Sequence, residues 1–443
     1  MDTTEPEAAA KALISRSILG SAIYELWGSG PDYPCLHADT HNRAQHLWLQ
    51  YKHNSFRFEI DAFQGKHTQA SQREIIESFA YTAFEGPIVM HNPDQQFVVF
   101  EEYALNASKP HQLYFGRLIA ESGRKAINKY TLKKRSYIAT TSMDAELSLV
   151  TANLAQAAPG KLAYDPFMGT GSFPLACAHF GAAVFGSDLD GRSIRGKKGK
   201  SVKGNFEQYG TSSLYLGGLV ADLTNTPLRN HGQCRRWLDA ILCDPPYGVR
   251  EGLKVLGSTK VALQEIVLLA DGTPAHLSGH YIPPKKTYSF VRMLDDILDF
   301  SAGVLVNDGR LCMWMPVAGQ PEDRANDKQA TVYAEGEGCE YAIPRHPELE
   351  VVSECVQHFN KWSRRLLTYR RLPDDKVNEA ALLSYQTSRM ALREGSNGVV
   401  KGTADDLNAF RRQVMLCQLT PRLCASVADT QQYFQGFKDT LPR

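Results

Sequence analysis

Leu238-Asp239-Ala240-Ile241-Leu242-Cys243-Asp244-Pro245-Pro246-Tyr247-Gly248 is a short apolar run that ends on an acid and a turn stiffened by two prolines. Six residues are too few for a helix, so the run reads as a buried strand with Asp244 at its carboxyl end. Working upstream, Lys161 to Tyr164 is another short run, and it leads into Asp165-Pro166-Phe167-Met168-Gly169-Thr170-Gly171-Ser172 and then a helix of small residues. Ala182 to Ser187 and Leu214 to Val220 have the same character, as does Arg310 to Met315 after a turn at Asp308-Gly309. Val351 to His358 and Arg365 to Tyr369 read as a closing antiparallel pair. Short apolar strands alternating with helices predict an α/β fold, mostly parallel, with a terminal hairpin, over residues 137–372.

Further out the pattern changes. Residues 1–122 predict a small α+β module. Ile23 to Trp27, Phe56 to Ile60, Gln96 to Phe100 and Gln112 to Phe115 read as strands, and Ser71 with Glu74 forms a candidate capping box for a helix carrying Ile75, Ile76, Phe79 and Ala80. Residues 123–136 form a basic connector in which Arg124, Lys125, Lys129, Lys133, Lys134 and Arg135 occur with no acid among them. It is either a solvated linker or a phosphate-binding edge. Residues 373–443 are a polar extension of unclear role, with a candidate helix at Asp405 to Leu416.

Composition bounds the function. A chain of 443 residues predicts two or three domains, and 43% hydrophobic with 22% charged residues is ordinary for a soluble globular protein. The formal net charge of +1 gives no global basic signal, so charge matters only where it clusters. The acidic start Met1 to Glu7 lacks a secretory h-region, and the longest apolar stretch, Val261 to Ala270, is far too short to span a bilayer. Nine cysteines, an odd number with no CxxC pair, argue against a disulfide framework and for a reducing compartment, the cytoplasm. His37, His41, His46 and His53 read as packing or surface residues, so no metal is expected.

The turn at Asp165 to Ser172 lets the backbone approach a ligand closely at Gly169 and Gly171, but its spacing is not GxGxxG, so a dinucleotide is not the natural occupant. Asp165 at the strand end suits a ligand ammonium such as that of S-adenosylmethionine. Asp188, closing the second strand, suits ribose hydroxyls, and Asp222, after the third, suits an adenine amine. Each acid alone is equally a helix cap. The three at successive strand ends face one crevice. At the fourth strand end, Asp244 and the Pro245 carbonyl provide two aimed acceptors for the hydrogens of an exocyclic base amine, Pro246 stiffens the turn, and Tyr247 offers a stacking surface.

Together these residues resemble the amino-methyltransferase superfamily with a Rossmann-like fold. Tyr137 to Ser148, Val184 to Arg192, Gly204 to Gly210 and Tyr247 to Gly252, with Phe79, Gly86-Pro87-Ile88 and Asn92-Pro93-Asp94, narrow the resemblance to the catalytic subunits of eukaryotic tRNA guanosine-10 N2-methyltransferases. Ala139 departs from the expected glycine. The resemblance implies a mostly parallel seven-stranded sheet, a THUMP-containing tRNA-gripping region, S-adenosylmethionine as cofactor and N2-methylguanosine as product. It implies a small zinc-binding activator subunit paired with an edge strand, here Ser213 to Val220. It places Thr141 and Ser142 near the carboxylate of the methionyl group, and Pro166 and Phe167 of the turn among the cofactor-binding residues. Arg124, Lys125, Lys133, Lys134, Arg135, Arg192, Lys197 and Lys198 become candidates for RNA contact, with Arg195, Lys200 and the hairpin arginines Arg364, Arg365, Arg370 and Arg371 open between phosphate contact and solvated surface. Two rivals stand beside this reading: the same chemistry on another RNA, on DNA or on a protein glutamine, and a non-catalytic RNA-binding subunit.

Overall fold

The computed structural model describes residues 6–63, 65–229, 236–247, 253–258, 260, 263, 265–278, 281–318, 343–359 and 362–394. The chain divides into two compact units, Met1–Tyr130 and Thr131–Arg443, so the division falls within the basic stretch.

The first unit contains α1 (Pro6–Arg16), β1 (Ala22–Gly30), α2 (Tyr33–Ala44), α3 (Trp48–Tyr51), β2 (Phe56–Phe63), α4 (Gln69–Glu77), β3 (Gln95–Glu102), β4 (Gln112–Glu121) and α5 (Lys125–Tyr130). Its sheet runs β1-β4-β3-β2, with β2 and β3 parallel and the other pairs antiparallel. Trp27, Phe79, Phe97 and Phe115 fill its core. Phe58 lies stacked on Phe115 with ring centroids 5.8 Å apart. All four expected strands form. The expected cap does not: α4 begins at Gln69, Thr68 is its N-cap and accepts from Ser71 N–H, and the Ser71 hydroxyl instead meets His67 Nδ1 at 3.0 Å. Helix α2 is an addition to the expected elements, although Asp32 caps it by accepting from Cys35 N–H and Pro34 sits in its first turn. His37 and His41 ride on this helix, where His37 meets the Tyr81 hydroxyl and His41 packs between Trp48 and Tyr81.

The second unit contains α6 (Ala145–Leu154), β5 (Leu162–Asp165), α7 (Ser172–His179), β6 (Ala183–Asp188), α8 (Gly191–Arg195), α9 (Val202–Gln208), β7 (Tyr215–Val220), β8 (Leu238–Cys243), β9 (Lys254–Leu256), β10 (Lys285–Thr287), α10 (Phe290–Val304), β11 (Leu305–Ala318), β12 (Leu349–His358), β13 (Trp362–Arg371) and α11 (Glu379–Glu394). Seven strands form one sheet in the order β12-β13-β11-β8-β5-β6-β7. Strands β11, β8, β5, β6 and β7 are parallel, and β13 runs antiparallel between β11 and β12. This is the Rossmann-like α/β architecture expected. The parallel strands are near-continuously apolar because helices cover both faces of such a sheet. The expected turn at Asp308-Gly309 is an irregularity inside β11, with Asp308 in the left-handed region.

Helix α10 buries Phe290, Met293, Leu294, Ile297 and Leu298 against the sheet, a single stripe at i, i+3, i+4, i+7 and i+8. Its other side carries Asp295, Asp296 and Asp299, which pair with Arg389 of α11 at 2.7, 3.2 and 2.6 Å. The extension after residue 372 therefore begins as a docked helix. The expected helix at Asp405 to Leu416 lies outside the described residues. Strand β7 ends the sheet and starts at Tyr215, later than expected, since Ser212–Leu214 is a 3-10 turn. Among the described residues, Cys35, Cys177, Cys243, Cys312 and Cys355 are free thiols, and no helix is long and apolar enough to cross a membrane.

Candidate active site

Parallel pairing fixes the register of the site. Tyr164 of β5 pairs with Ile241 of β8, so Asp165 follows the last paired residue by one position and Asp244 by three. At about 3.3 Å per residue the two acids stand roughly 7 Å apart along the strand direction, on neighbouring strands of one sheet edge. The glycine turn and the Asp-Pro-Pro-Tyr turn open on that same edge, where parallel α/β sheets bind ligands.

The turn is held by its own backbone. Asp165 is buried, and its carboxylate accepts from Phe167 N–H at 2.9 Å. Met168 N–H donates to Ser187 O at 2.8 Å, and Gly169 N–H to the Asp188 carboxylate at 2.9 Å, which ties the turn to the end of β6. Asp188 also accepts from Asp190 N–H at 2.7 Å. Gly169 has φ 51°, and a Cβ there would meet nothing nearer than Phe167 O at 4.0 Å. Space therefore opens directly over a left-handed glycine. Gly171 is different: with φ 81° it caps α7, and a Cβ there would strike Val202 at 2.8 Å. Pro166 is buried under the turn and Phe167 is half-buried against the sheet core. The Ser142 hydroxyl meets the Thr170 hydroxyl at 2.7 Å, so Ser142 borders the turn, while Thr141 is exposed beside it.

Burial pushes the carboxyl of Asp165 well above the usual carboxylate range, and the charges of Asp188 and Asp244 push it further. Burial likewise raises Asp188 and Asp244. Acids that burial holds back from ionising suit a cationic ligand, and the sulfonium and ammonium of S-adenosylmethionine would match them. The open space over Gly169, whose N–H meets Asp188, in the turn that begins at Asp165, fits that cofactor.

Asp222 is less available than expected. It is buried, one oxygen accepts from Thr224 N–H and hydroxyl at 2.9 Å each, and the other accepts from Leu256 N–H at 2.6 Å. Three chain donors leave about one carboxylate lone pair for a ligand. The Leu256 bond also explains the unexpected β9–β10 pair, which is fastened to the loop after β7 by this acid.

Asp244 accepts a hydrogen bond from the Tyr247 hydroxyl, and Tyr247 sets its ring edge-on to Phe290 at 6.2 Å. Tyr247 thus orients the carboxylate, a role composition alone did not reveal. Pro245 is buried and Pro246 half-buried.

The basic candidates divide. Lys133, Lys134, Lys197 and Lys198 are exposed. Arg192 is exposed but holds Asp190 through its Nε and Nη2 at 2.9 and 2.7 Å. Lys125 pairs with Glu121, and Arg124 donates to the carbonyls of Ile18 and Leu19. Arg135 leaves the set: it is buried, and its Nη1 donates to Ser172 Oγ at 2.7 Å, bracing the first residue of α7 instead of facing a phosphate. On the hairpin, Arg371 is buried on Glu348 at 2.6 Å, Arg365 meets Glu354 at 3.2 Å and Arg370 meets Glu350 at 2.5 Å, so these three serve the fold.

Residues 3–124 match a family model described as the Tmrp11 THUMP N-terminal domain. Over 376 residues the chain is 45% identical to the tRNA (guanine(10)-N(2))-methyltransferase of Saccharomyces cerevisiae, covering 82% of each chain. It is 33% identical over 385 residues to the tRNA (guanine(10)-N(2))-methyltransferase TRMT11 of Homo sapiens, covering 83% of this chain and 78% of that one. Among solved structures, TrmN from Thermus thermophilus aligns at 17% identity and a TM-score of 0.34, covering 80% of this chain and 84% of the other. The sequence relatives decide the matter: this chain belongs to the tRNA (guanine(10)-N(2))-methyltransferase family.

Proposed function

We propose that this chain transfers a methyl group from S-adenosylmethionine to the exocyclic N2 amine of guanosine at tRNA position 10, giving N2-methylguanosine, as the catalytic subunit of a cytoplasmic heterodimer. The observation that carries this reading is the adjacency of the glycine turn and Asp244 at the ends of neighbouring parallel strands β5 and β8. We assign residues 1–122 to a tRNA-gripping module, 123–136 to a connector, 137–372 to catalysis and 373–443 to an extension.

When bound, S-adenosylmethionine supplies a methyl group activated by a positive sulfur. The chain supplies the rest. Asp165 holds the ammonium of the methionyl part, Ser142 and the exposed Thr141 lie beside its carboxylate, and Asp188 takes the ribose hydroxyls. Asp222 keeps one acceptor for the adenine amine. The N2 lone pair of guanine is delocalised into the ring, so it is a poor nucleophile. Asp244 and the Pro245 carbonyl accept its two hydrogens, which draws the nitrogen toward tetrahedral geometry and aims its lone pair. Tyr247 donates to Asp244 and fixes the direction of that carboxylate. As the new N–C bond forms, Asp244 is placed to take the proton the nitrogen gives up.

The exposed Lys133, Lys134, Lys197 and Lys198 are candidates for phosphate contact. The outer edge of β7, where Leu216 and Val220 are 63% and 54% exposed, is the candidate docking strand for the small zinc-binding activator. The free thiols among the described residues fit a reducing compartment.

The test is to incubate the purified chain, with any subunit that co-purifies, with tRNA and labelled cofactor and to identify the modified nucleoside. Label in N2-methylguanosine is expected. Asp244→Ala should remove at least about 10²-fold of turnover while tRNA binding persists. Label confined to DNA or protein favours the first rival. Normal turnover by Asp244→Ala removes the role given to this carboxylate.

A further inference from the structure

Arg364 is the hairpin arginine for which no ion pair is found among the described residues. Strand β13 sets it opposite Pro316 of β11, and β11 in turn pairs Met313 with Cys243, the residue before Asp244. The arginine therefore stands at the same sheet edge as the catalytic turn, one strand beyond its immediate neighbour. Its guanidinium lies over the Trp314 ring at 4.6 Å and the Phe359 ring at 5.5 Å. Its Nε donates to Gln357 Oε1 at 2.8 Å. Trp314 is itself fixed, because it is buried and its indole N–H donates to Thr151 Oγ1 at 3.1 Å. Among the described residues, the two terminal nitrogens of Arg364 make no hydrogen bond. A planar donor fork is thus held by stacking on one side and by one bond at its base, with its free end unpaired among the described residues. Its charge reaches the catalytic turn, where it opposes the effect of burial on both Asp244 and Tyr247.

Guanine has two groups that matter here. The N2 amine that Asp244 would take lies on the Watson–Crick edge, and the same edge carries the O6 acceptor, with N7 next to it. Adenine places an amine donor where guanine has O6. A guanidinium is the commonest protein partner of the O6/N7 pair, and it is repelled by a donor at that position. We propose that Arg364 binds O6 of the extruded target base and so selects guanine, acting as a specificity-determining residue beside the acceptors of the N2 amine. This rests on the assignment of Asp244 to that amine. A cation on O6 withdraws electron density from the ring and gives no help to the nucleophile. Its loss therefore belongs in binding, not in the chemical step.

The experiment uses the full-length chain with any co-purifying subunit, and tRNA carrying either guanosine or 2-aminopurine at the methylated position. 2-Aminopurine keeps the 2-amine and replaces O6 by hydrogen. Apparent KM, or the inhibition constant where turnover is slow, is measured for the native chain, Arg364→Ala and Arg364→Lys. The native chain should prefer guanosine. Arg364→Ala should weaken guanosine about 10- to 100-fold, with kcat changed little, and leave 2-aminopurine nearly unaffected, so that the preference collapses. Arg364→Lys, which keeps the charge but not the fork, should retain part of the preference and guards against a folding defect in the alanine variant. Equal losses on both bases would overturn the proposal and make Arg364 a phosphate contact or a structural residue. An unchanged preference with no loss would overturn it too. Asp244→Ala serves as the separating arm: if it still methylates guanosine, the active-site reading fails, whereas a dead Asp244→Ala with an unaltered base preference in Arg364→Ala fails this inference alone.

Discussion

At the scale of the residue, the proposed site is a set of acids, Asp165 buried and Asp188 and Asp244 half-buried. Asp165, Asp188 and Asp244 all have their carboxyls raised by burial. In the unfolded chain such groups titrate near 3.9. From about pH 4 up through the raised values, the folded ligand-free protein holds more protons than the unfolded one, so its stability falls as pH rises across that window. Asp190, held down to about 2 chiefly by Arg192, works in the opposite sense and only at lower pH. A ligand ammonium beside Asp165 would bring its carboxyl back down. The thermal stabilisation given by S-adenosylhomocysteine should therefore grow between pH 4 and pH 7, measured as the shift in melting temperature at constant ligand excess. A shift that is flat or shrinking over that range contradicts the role of Asp165. The acids at strand ends were legible in the sequence only jointly, because three of them close successive apolar runs while each alone would equally cap a helix. What was not legible is how much the chain itself consumes of each. Asp222 gives most of its acceptors to Thr224 and Leu256, and Arg135 turns inward to Ser172, because burial and partners depend on residues distant in sequence. Arg364 could be named from sequence but not told apart from its three neighbours until their carboxylate partners were known.

At the scale of the element, hydrophobic period decided most of the outcome. All seven strands of the larger sheet were visible as short apolar runs, and β8 was predicted to the residue. Helices fared worse. Helix α10 was not among the expected elements although it carries a clear apolar stripe, and α2 is so polar that its Asp32 and Pro34 are the main clue. Helix α11 was hidden because its docking surface is ionic: Arg389 answers three aspartates of α10, and Tyr385 donates to Asp299 at 2.8 Å. Arg389→Ala would remove the guanidinium that Asp295, Asp296 and Asp299 share. The pairs are partly solvated, so the expected loss is about 1–3 kcal/mol, read by urea denaturation with the m-value unchanged. A loss below about 0.5 kcal/mol would mean that α11 docks by other means, since surface changes commonly fall within that range.

At the scale of the whole molecule, two units with different architectures share one chain, and the family model covers the first while the relatives extend over both. Net charge of +1 argues for local, not global, attraction to RNA. Replacing Lys133, Lys134, Lys197 and Lys198 by Glu should weaken tRNA binding and flatten its dependence on salt, by a slope of about 0.7–0.9 for each phosphate no longer neutralised. An unchanged slope, measured by binding titrations from low to physiological salt, would move the RNA-binding surface elsewhere. The central claim is that the glycine turn after β5 and the acidic turn after β8 serve a single methyl transfer. A crystal structure with S-adenosylhomocysteine tests it most directly. The ammonium should lie against Asp165, the ribose against Asp188, and the sulfur should face Asp244 and the Pro245 carbonyl with room for a methyl group and an amine between them. A ligand bound elsewhere, or one whose sulfur points away from Asp244, would contradict the account.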